Sequence, residues 1–451
     1  MSDIIAAIAT GRAPCAIGIL RLSGPGCAAL TGRVFTPKQP FADAPDRRLV
    51  LGLLHDRQGR VIDECLGVVC RAPHSYTGEE TVELQCHGSP AMLAAGLEAL
   101  LAAGARQAGP GEFTRRAFLN GKLDLTQAEA VVDLIDAETA DAAANAAGQL
   151  GGALKRAIGP VYDGLTDLCS HFHAVLDYPD EDIEDFGAAE LSGALDRAGV
   201  ALRELLATYE KGRHLRQGVR AVLLGKPNAG KSSLLNRLGG YDRVIVTDIA
   251  GTTRDTVEEP VRVGRVLLRL TDTAGIREAG DAIEALGVAR SEQAAREAEL
   301  ALFVCDASQP LTDEDRRAIE AAKCAPRSLA LCNKSDLPAA VSPDELPFDT
   351  VLTVSARTGA GLDALPAVLE GWFLGENACD GSLLTNPRQF GALDRASRAI
   401  ERAKTGLCLG VTPDAVLTDV EEAMAALGEV TGRTVREDIT NRIFERFCVG
   451  K

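Results

Sequence analysis

The residues best equipped for chemistry are Gly225-Lys226-Pro227-Asn228-Ala229-Gly230-Lys231-Ser232, which fit the spacing G-x-x-x-x-G-K-S. That pattern holds a nucleotide's phosphates when it follows a strand and opens a helix. Here it follows the apolar run Val219–Leu224 and precedes the helical pattern Ser233–Leu238. Glycines let backbone N–H groups turn toward phosphate oxygens, and the helix N-terminus adds partial positive charge. Asn228, Ala229, Gly230, Lys231, Ser232 and Ser233 are therefore expected around the phosphates, with Lys231 on the β- and γ-phosphates and Ser232 on Mg2+. Asp272-Thr273-Ala274-Gly275 ends the next long apolar run. An acid at a strand's C-terminal end can hold the metal's water shell, and Gly275 lets a backbone N–H approach the γ-phosphate.

Asn333-Lys334-Ser335-Asp336 follows the apolar run Leu329–Cys332 and resembles the guanine-reading N-K-x-D of Ras-like GTPases. The carboxylate of Asp336 can accept from guanine N1–H and N2–H2, which adenine lacks. Ser355-Ala356-Arg357, after one more apolar run, resembles the backbone contact to guanine O6. Motifs in this order point to GTP rather than ATP. Between the phosphate loop and Asp272 lies a run containing Thr247, Asp248, Ile249, Ala250, Gly251, Thr252 and Thr253, expected to contact the nucleotide. Thr253 is the candidate second Mg2+ ligand, and a plain turn is the bland reading of the same residues. One position departs from the Ras-like pattern: many such enzymes place a water-orienting glutamine after D-x-x-G, and this chain has Ile276. Arg254 and Arg277 are available as charges, but their spacing does not demand it.

The elements that must position these groups are legible around them. Apolar runs at Val219–Leu224, Val266–Leu270, Leu300–Cys305, Leu329–Cys332 and Val351–Val354 alternate with amphipathic stretches Ile283–Glu299 and Thr312–Ala322. Short buried strands alternating with helices predict a mostly parallel sheet covered on both faces. The flanks Thr126–Ile158, Leu191–Leu215, Arg388–Leu409 and Pro413–Leu427 have helical spacing. The N-terminal part reads as strands Ile17–Leu22, Leu49–Leu54 and Cys65–Val69 with a helix over Pro90–Ala103. At 451 residues the chain exceeds a single core of ~250–300 residues. The expected fold is multidomain, α/β and α: an N-terminal α+β domain over 1–118, a helical domain made of 119–215 and 376–451, and a Ras-like P-loop GTPase domain inserted over 216–375.

Other features carry less. The net charge of −16 argues against a general nucleic-acid binder, so any RNA must meet a local basic patch. The 12 cysteines form no C-x-x-C pair and read as free thiols. No apolar run reaches the ~20 residues of a membrane span, and Met1–Ala9 lacks the basic start of a signal peptide, so a cytoplasmic protein is expected. His171 and His173, two apart, do not share a helix face and read as an exposed pair rather than metal ligands. The acidic run Asp180–Asp185 reads as a solvated loop, and Ser75–Glu83 and Gly111–Asp124 as structural, loop-like segments.

Taken together these residues resemble the bacterial tRNA-modifying GTPase family called MnmE or TrmE, along essentially the whole chain. The likeness includes Gly18–Gly24, Ser75–Glu79, Pro110–Asn120, Lys122–Ala130, Asp133–Asp136, Ile249–Asp255 and the closing Phe447-Cys448-Val449-Gly450-Lys451. Cys86 stands where a glycine is common. The resemblance implies an N-terminal domain that binds tetrahydrofolate and dimerises, and a homodimer that works with an FAD-dependent partner, MnmG. The pair installs a carboxymethylaminomethyl or aminomethyl group on C5 of the wobble uridine of certain tRNAs, with methylene-tetrahydrofolate as one-carbon donor. It implies folate contacts from Arg21, Glu83, Lys122 and Lys451. It also implies hydrolysis activated by G-domain dimerisation and by K+ held on Asn228, Thr247, Ile249 and Thr252, with Glu284 orienting the attacking water. The role of Cys448 stays open. The competing reading is a regulatory GTPase of ribosome assembly. Relatives of that kind carry KH-like RNA-binding ends, usually basic, whereas this chain ends in an acidic helical segment and Phe447–Lys451.

Overall fold

A computed structural model describes residues 3–11, 13–37, 40–177, 188–241, 258–271, 284–375, 380–433, 443–445 and 447–450. The chain forms two compact units. One comprises Met1–Val132, Leu150–Ala198 and Arg395–Lys451, the other Asp133–Gln149 and Gly199–Asp394.

The first unit is built on a seven-stranded sheet. Strands β1 (Ile5–Ile8), β2 (Cys15–Ser23), β3 (Phe35–Pro37), β4 (Val50–His55), β5 (Val61–Cys70), β6 (Thr81–Gly88) and β7 (Arg106–Gln107) lie in the order β3-β4-β5-β6-β2-β1-β7. All neighbours are antiparallel except β1 with β7. Side chains alternate between faces along a strand. Leu20 and Leu22 of β2, with Val82, Leu84 and Cys86 of β6, therefore go into one core, while Arg21 and Glu83 share the opposite face as register partners. The same alternation corrects the loop-like reading of Ser75–Glu83, whose last residues open the central strand β6. Helix α1 (Cys27–Thr31) and helix α2 (Pro90–Ala102) add Cys27, Ala28, Leu93, Ala99 and Leu100 to that core. Helices α3 (Glu112–Leu119) and α4 (Leu125–Ile135) follow.

The helical flanks form α5 (Ala140–Leu150), α6 (Ala153–Asp177), α7 (Ala188–Ala207) and α8 (Tyr209–Gln217), with α6 running well past the Ile158 end that the spacing predicts. In the first unit α6 packs on the late helix Pro413–Thr431, where the Cys169 thiol meets Met424 Sδ at 3.4 Å. His173 is exposed and bonds Glu421 at 3.1 Å. Among the described residues no group of three or more metal-ligating side chains occurs, and no helix is long and apolar enough to cross a membrane. All described cysteines are free thiols.

The second unit holds the sheet on which the nucleotide motifs sit. Strands β8 (Val219–Leu224), β9 (Glu258–Val263), β10 (Val266–Thr271), β11 (Leu300–Asp306), β12 (Arg327–Asn333) and β13 (Val351–Thr353) run in the order β13-β12-β11-β8-β10-β9. Pairing is parallel except between β9 and β10. Edge strand β9 opens on two glutamates and a proline, which hid it in the sequence. Both faces are covered. Val219, Ala221 and Leu223 of β8 pack with Leu234 and Leu238 of α9 (Lys231–Tyr241). Val222 and Leu224 pack with Ala295 of α10 (Glu284–Glu297) and Ile319 of α11 (Asp313–Ala322). Helix α12 (Ala364–Phe373), absent from the sequence reading, adds Leu365 and Leu369 to the α9 side. Helix α13 (Pro387–Cys408) follows, and α14 (Pro413–Thr431) lies in the first unit.

Helical residues beside the insertion expected at 216–375 belong to this second unit. Asp133 pairs with Arg216 at 2.8 Å, and Glu138 and Asp141 pair with Arg269 and Arg265 of the β9–β10 hairpin. Gln149 donates to the Leu383 carbonyl at 2.6 Å.

In the first unit, Phe35 is fully buried and meets the Phe41 ring edge-on at 5.0 Å. Phe35→Ala is expected to cost ~3–5 kcal/mol, read as a lowered melting midpoint of the purified chain.

Candidate nucleotide site

The parallel strands β8, β11, β12 and β13 send their C-terminal ends to one edge of the sheet, where open α/β sheets place their ligands. The loop after β8 is shaped by two contacts that admit no side chain. A Cβ on Gly225 (φ 143°) would lie 2.1 Å from the Val304 carbonyl, and one on Gly230 (φ 99°) would lie 2.1 Å from Asn333 Nδ2. Between them Asn228 takes a left-handed φ of 64°. Lys231, first residue of α9, donates to the carbonyls of Gly225 at 2.7 Å and Lys226 at 2.9 Å. The ammonium is thus held on the backbone of its own loop, at the place where this motif meets nucleotide phosphates.

Asn333 ties this loop to the two that follow β12 and β13. It is 2% exposed, donates through Nδ2 to the Ala229 carbonyl at 2.8 Å, and accepts at Oδ1 from the Ala356 N–H at 2.9 Å. Lys334 takes a left-handed φ of 65° and pairs with Asp306 at the tip of β11, 2.7 Å away. Burial raises the Asp306 carboxyl, but the hydrogen bonds from Lys334 and Ser308 outweigh it and hold the group below its ordinary value. Ser355 donates to Asp336 Oδ1 at 2.7 Å, and Arg357 stands 3.6 Å from Oδ2. The Ser355 hydrogen bond, with Arg357 in support, keeps Asp336 below the usual carboxylate range. An ionised, oriented carboxylate beside the backbone of Ala356 is the arrangement that guanine's paired donors require. Arg237 of α9 donates to the Thr358 carbonyl at 2.6 Å, so the third loop is also held to the phosphate-side helix.

The expected residues Asn228–Ser233, Asn333, Lys334, Asp336 and Ser355–Arg357 are therefore brought together. Thr247–Thr253, Asp272–Gly275 and Ile276 lie outside the described residues; Glu284 begins α10, but its side chain is not described. The sequence reading missed Asp306, Arg237 and the pair Lys226–Asp315. An acid ending an apolar strand was the available sign for Asp306, since the same rule had found Asp272.

In the first unit, Arg21 and Glu83 form an ion pair at 2.7 Å across β2 and β6. The guanidinium lies 5.7 Å from the Tyr76 ring and 5.8 Å from the Phe113 ring. It also donates to the Gly450 carbonyl at 3.4 Å. The C-terminal residues reach this place by pairing Val449 with Pro110 and bonding the Cys448 carbonyl to the Gly111 N–H. Lys122 is held on the Tyr76-bearing loop through the Pro73 carbonyl at 3.2 Å, and Cys448 is exposed. Lys451 lies outside the described residues.

A phosphate loop, an N-K-x-D loop and a base-side backbone loop at the tips of one parallel sheet define a GTP-hydrolysing enzyme of the P-loop class. Family models described as "MnmE helical domain" and "GTP-binding protein TrmE N-terminus" match residues 125–448 and 4–122. The chain is 45% identical over 465 residues to the tRNA modification GTPase MnmE of Roseiflexus sp. (strain RS-1), covering 100% of this chain and 99% of that protein. It is 44% identical over 455 residues to that of Symbiobacterium thermophilum, covering 100% and 99%. With that of Aquifex aeolicus (strain VF5) it shares 41% over 455 residues, covering both chains fully. The chain belongs to the tRNA modification GTPase MnmE family.

Replacing Asp336 by Asn turns one guanine acceptor into a donor. Asp336→Asn is expected to lose GTP hydrolysis and gain XTP hydrolysis, because xanthine offers a carbonyl at C2. Steady-state assays with both nucleotides check it; unchanged GTP preference contradicts the assignment.

Proposed function

We propose that this protein couples GTP hydrolysis to modification of C5 of the wobble uridine in certain tRNAs, adding a carboxymethylaminomethyl or aminomethyl group together with the FAD-dependent partner MnmG. The observation that carries this reading is a family likeness that runs from end to end and includes both flanks of the GTPase motifs. A ribosome-assembly GTPase of similar central domain shares only those central motifs. The proposed setting is the cytoplasm, and the proposed assembly is a homodimer that joins MnmG in a larger complex. Residues 1–118 would bind folate and dimerise, 119–215 and 376–451 would form the helical domain, and 216–375 would hydrolyse GTP.

In the hydrolytic site, Lys231 neutralises the β- and γ-phosphates, Ser232 and Thr253 hold Mg2+, and Asp336 selects guanine. Ile276 cannot orient water, and the family resemblance assigns that task to Glu284. Asn228, already turned into the left-handed region, supplies one oxygen for K+, with Thr247, Ile249 and Thr252 supplying others. A positive charge against the transferring phosphoryl group is worth ~10³–10⁵ in rate when an arginine supplies it. K+ would serve in that place, completed by dimerisation of the GTPase domains. Single-turnover hydrolysis is therefore expected to be fast in K+ and slow in Na+ at equal ionic strength. Glu284→Ala is expected to lower the rate and leave nucleotide affinity near wild type. Equal rates in both salts would remove the K+ mechanism.

The residues around Arg21 suit a reduced folate. Glu83 can accept from a pterin's ring N–H and amino group, the exposed Tyr76 offers a flat apolar face, and Arg21, Lys122 and Lys451 offer cations for the carboxylate tail. When bound, methylene-tetrahydrofolate supplies the one-carbon unit, and the chain's own residues hold and orient it. Arg21→Ala is expected to weaken binding of 5-formyl-tetrahydrofolate about tenfold or more, the worth of a charge-assisted hydrogen bond. Calorimetry checks it, and wild-type affinity would refute the site.

A further inference from the structure

Lys226, the second residue of the phosphate loop, does not face the loop's interior. Its ammonium reaches Asp315 Oδ2 at 3.0 Å, where the carboxylate side chain is 0% exposed and the lysine side chain 12%. The same Oδ2 accepts from the Thr312 N–H at 2.9 Å and the Thr312 hydroxyl at 2.7 Å, and the Asp315 N–H donates back to that hydroxyl at 3.4 Å. Asp315 is thus the third residue of a capping box that fixes the first turn of α11, and one carboxylate oxygen serves both the cap and the loop.

We propose that Asp315 is a positioning residue for nucleotide binding, acting through Lys226. The inference rests on the reading that Gly225–Ser232 cradles GTP phosphates. Lys226 is also one of the two carbonyls that carry the Lys231 ammonium, and the backbone N–H groups from Asn228 onward follow within the same turn. Pinning the Lys226 side chain to a capped helix fixes that carbonyl before nucleotide arrives. A loop ordered in advance does not lose its conformational freedom on binding, so its affinity is higher. The link is strong because both charges are withdrawn from water: removing either partner leaves the other buried and unpaired. The carboxylate touches no nucleotide; its effect passes through one lysine.

The test is a double-mutant cycle on GDP affinity, using Lys226→Met, Asp315→Asn and the double variant of the full chain. Asp315→Asn keeps an oxygen for the helix cap and removes the charge. Each single change is expected to raise the GDP dissociation constant about tenfold, and the double change by about the same factor, because both cut one link. A purely structural role predicts a lower melting temperature with wild-type affinity, and that result overturns the proposal. So does a hundredfold loss in the double variant, which would mark two independent effects. If Asp315→Asn does not fold, Lys226→Arg decides: it keeps a cation for Asp315 and should bind GDP nearly as wild type does. Affinity as poor as that of Lys226→Met overturns the proposal. Failure of the wild-type chain to bind GDP counts instead against the cradle reading, so the two failures are separable.

Discussion

The nucleotide site depends on one buried carboxamide. Asn333 has a donor and an acceptor at fixed separation, and it spends the donor on the phosphate loop and the acceptor on the base-side loop. Three loops that are far apart in sequence must agree in position to about an ångström if phosphate and base are to be held at once. A carboxylate could not donate to Ala229, and a hydroxyl is too short to span both partners. Gly230 follows from the same constraint, since any side chain there would collide with the Asn333 amide. Asp306, Ser355 and Arg237 then fix, in turn, the lysine, the carboxylate and the outer loop around that centre.

In the first unit the organising contact is also a cross-element one. Arg21 and Glu83 become neighbours only because β2 and β6 pair in the register that sets Leu20 against Leu84 and Leu22 against Val82. A one-residue slip of either strand would turn its charge toward the apolar core. The chain's last described residues join the same place through Pro110 and Gly111, so sequence positions more than 300 apart meet around one guanidinium.

Much of this was legible beforehand, for identifiable reasons. β8 and the helix after the phosphate loop stand out because an apolar run, glycines and Lys231 occur in a fixed order. β11 and β12 are buried on both faces and read as unbroken apolar stretches. What stayed hidden was either exposed on one side or set by partners distant in sequence. β9 and β6 mix charges with apolar residues, and α12 follows a Gly-rich loop that masks its start. The Lys226–Asp315 pair and the Arg237 clamp could not be read from local pattern, because 89 and 121 residues separate their partners. The Thr312-x-x-Asp315 spacing predicts a helix start, but nothing in it announces that the carboxylate also holds a phosphate loop.

The proposed function requires that the three-loop nucleotide site centred on Asn333 drive tRNA modification. The most direct measurement is mass spectrometry of wobble uridines in tRNA from cells lacking the protein, complemented with wild-type or Asn333→Ala chain. The C5-modified nucleoside is expected to disappear without the protein, to return with the wild type, and to stay largely absent with Asn333→Ala at equal protein levels. An unchanged nucleoside profile in the deleted cells, or full restoration by Asn333→Ala, would contradict it.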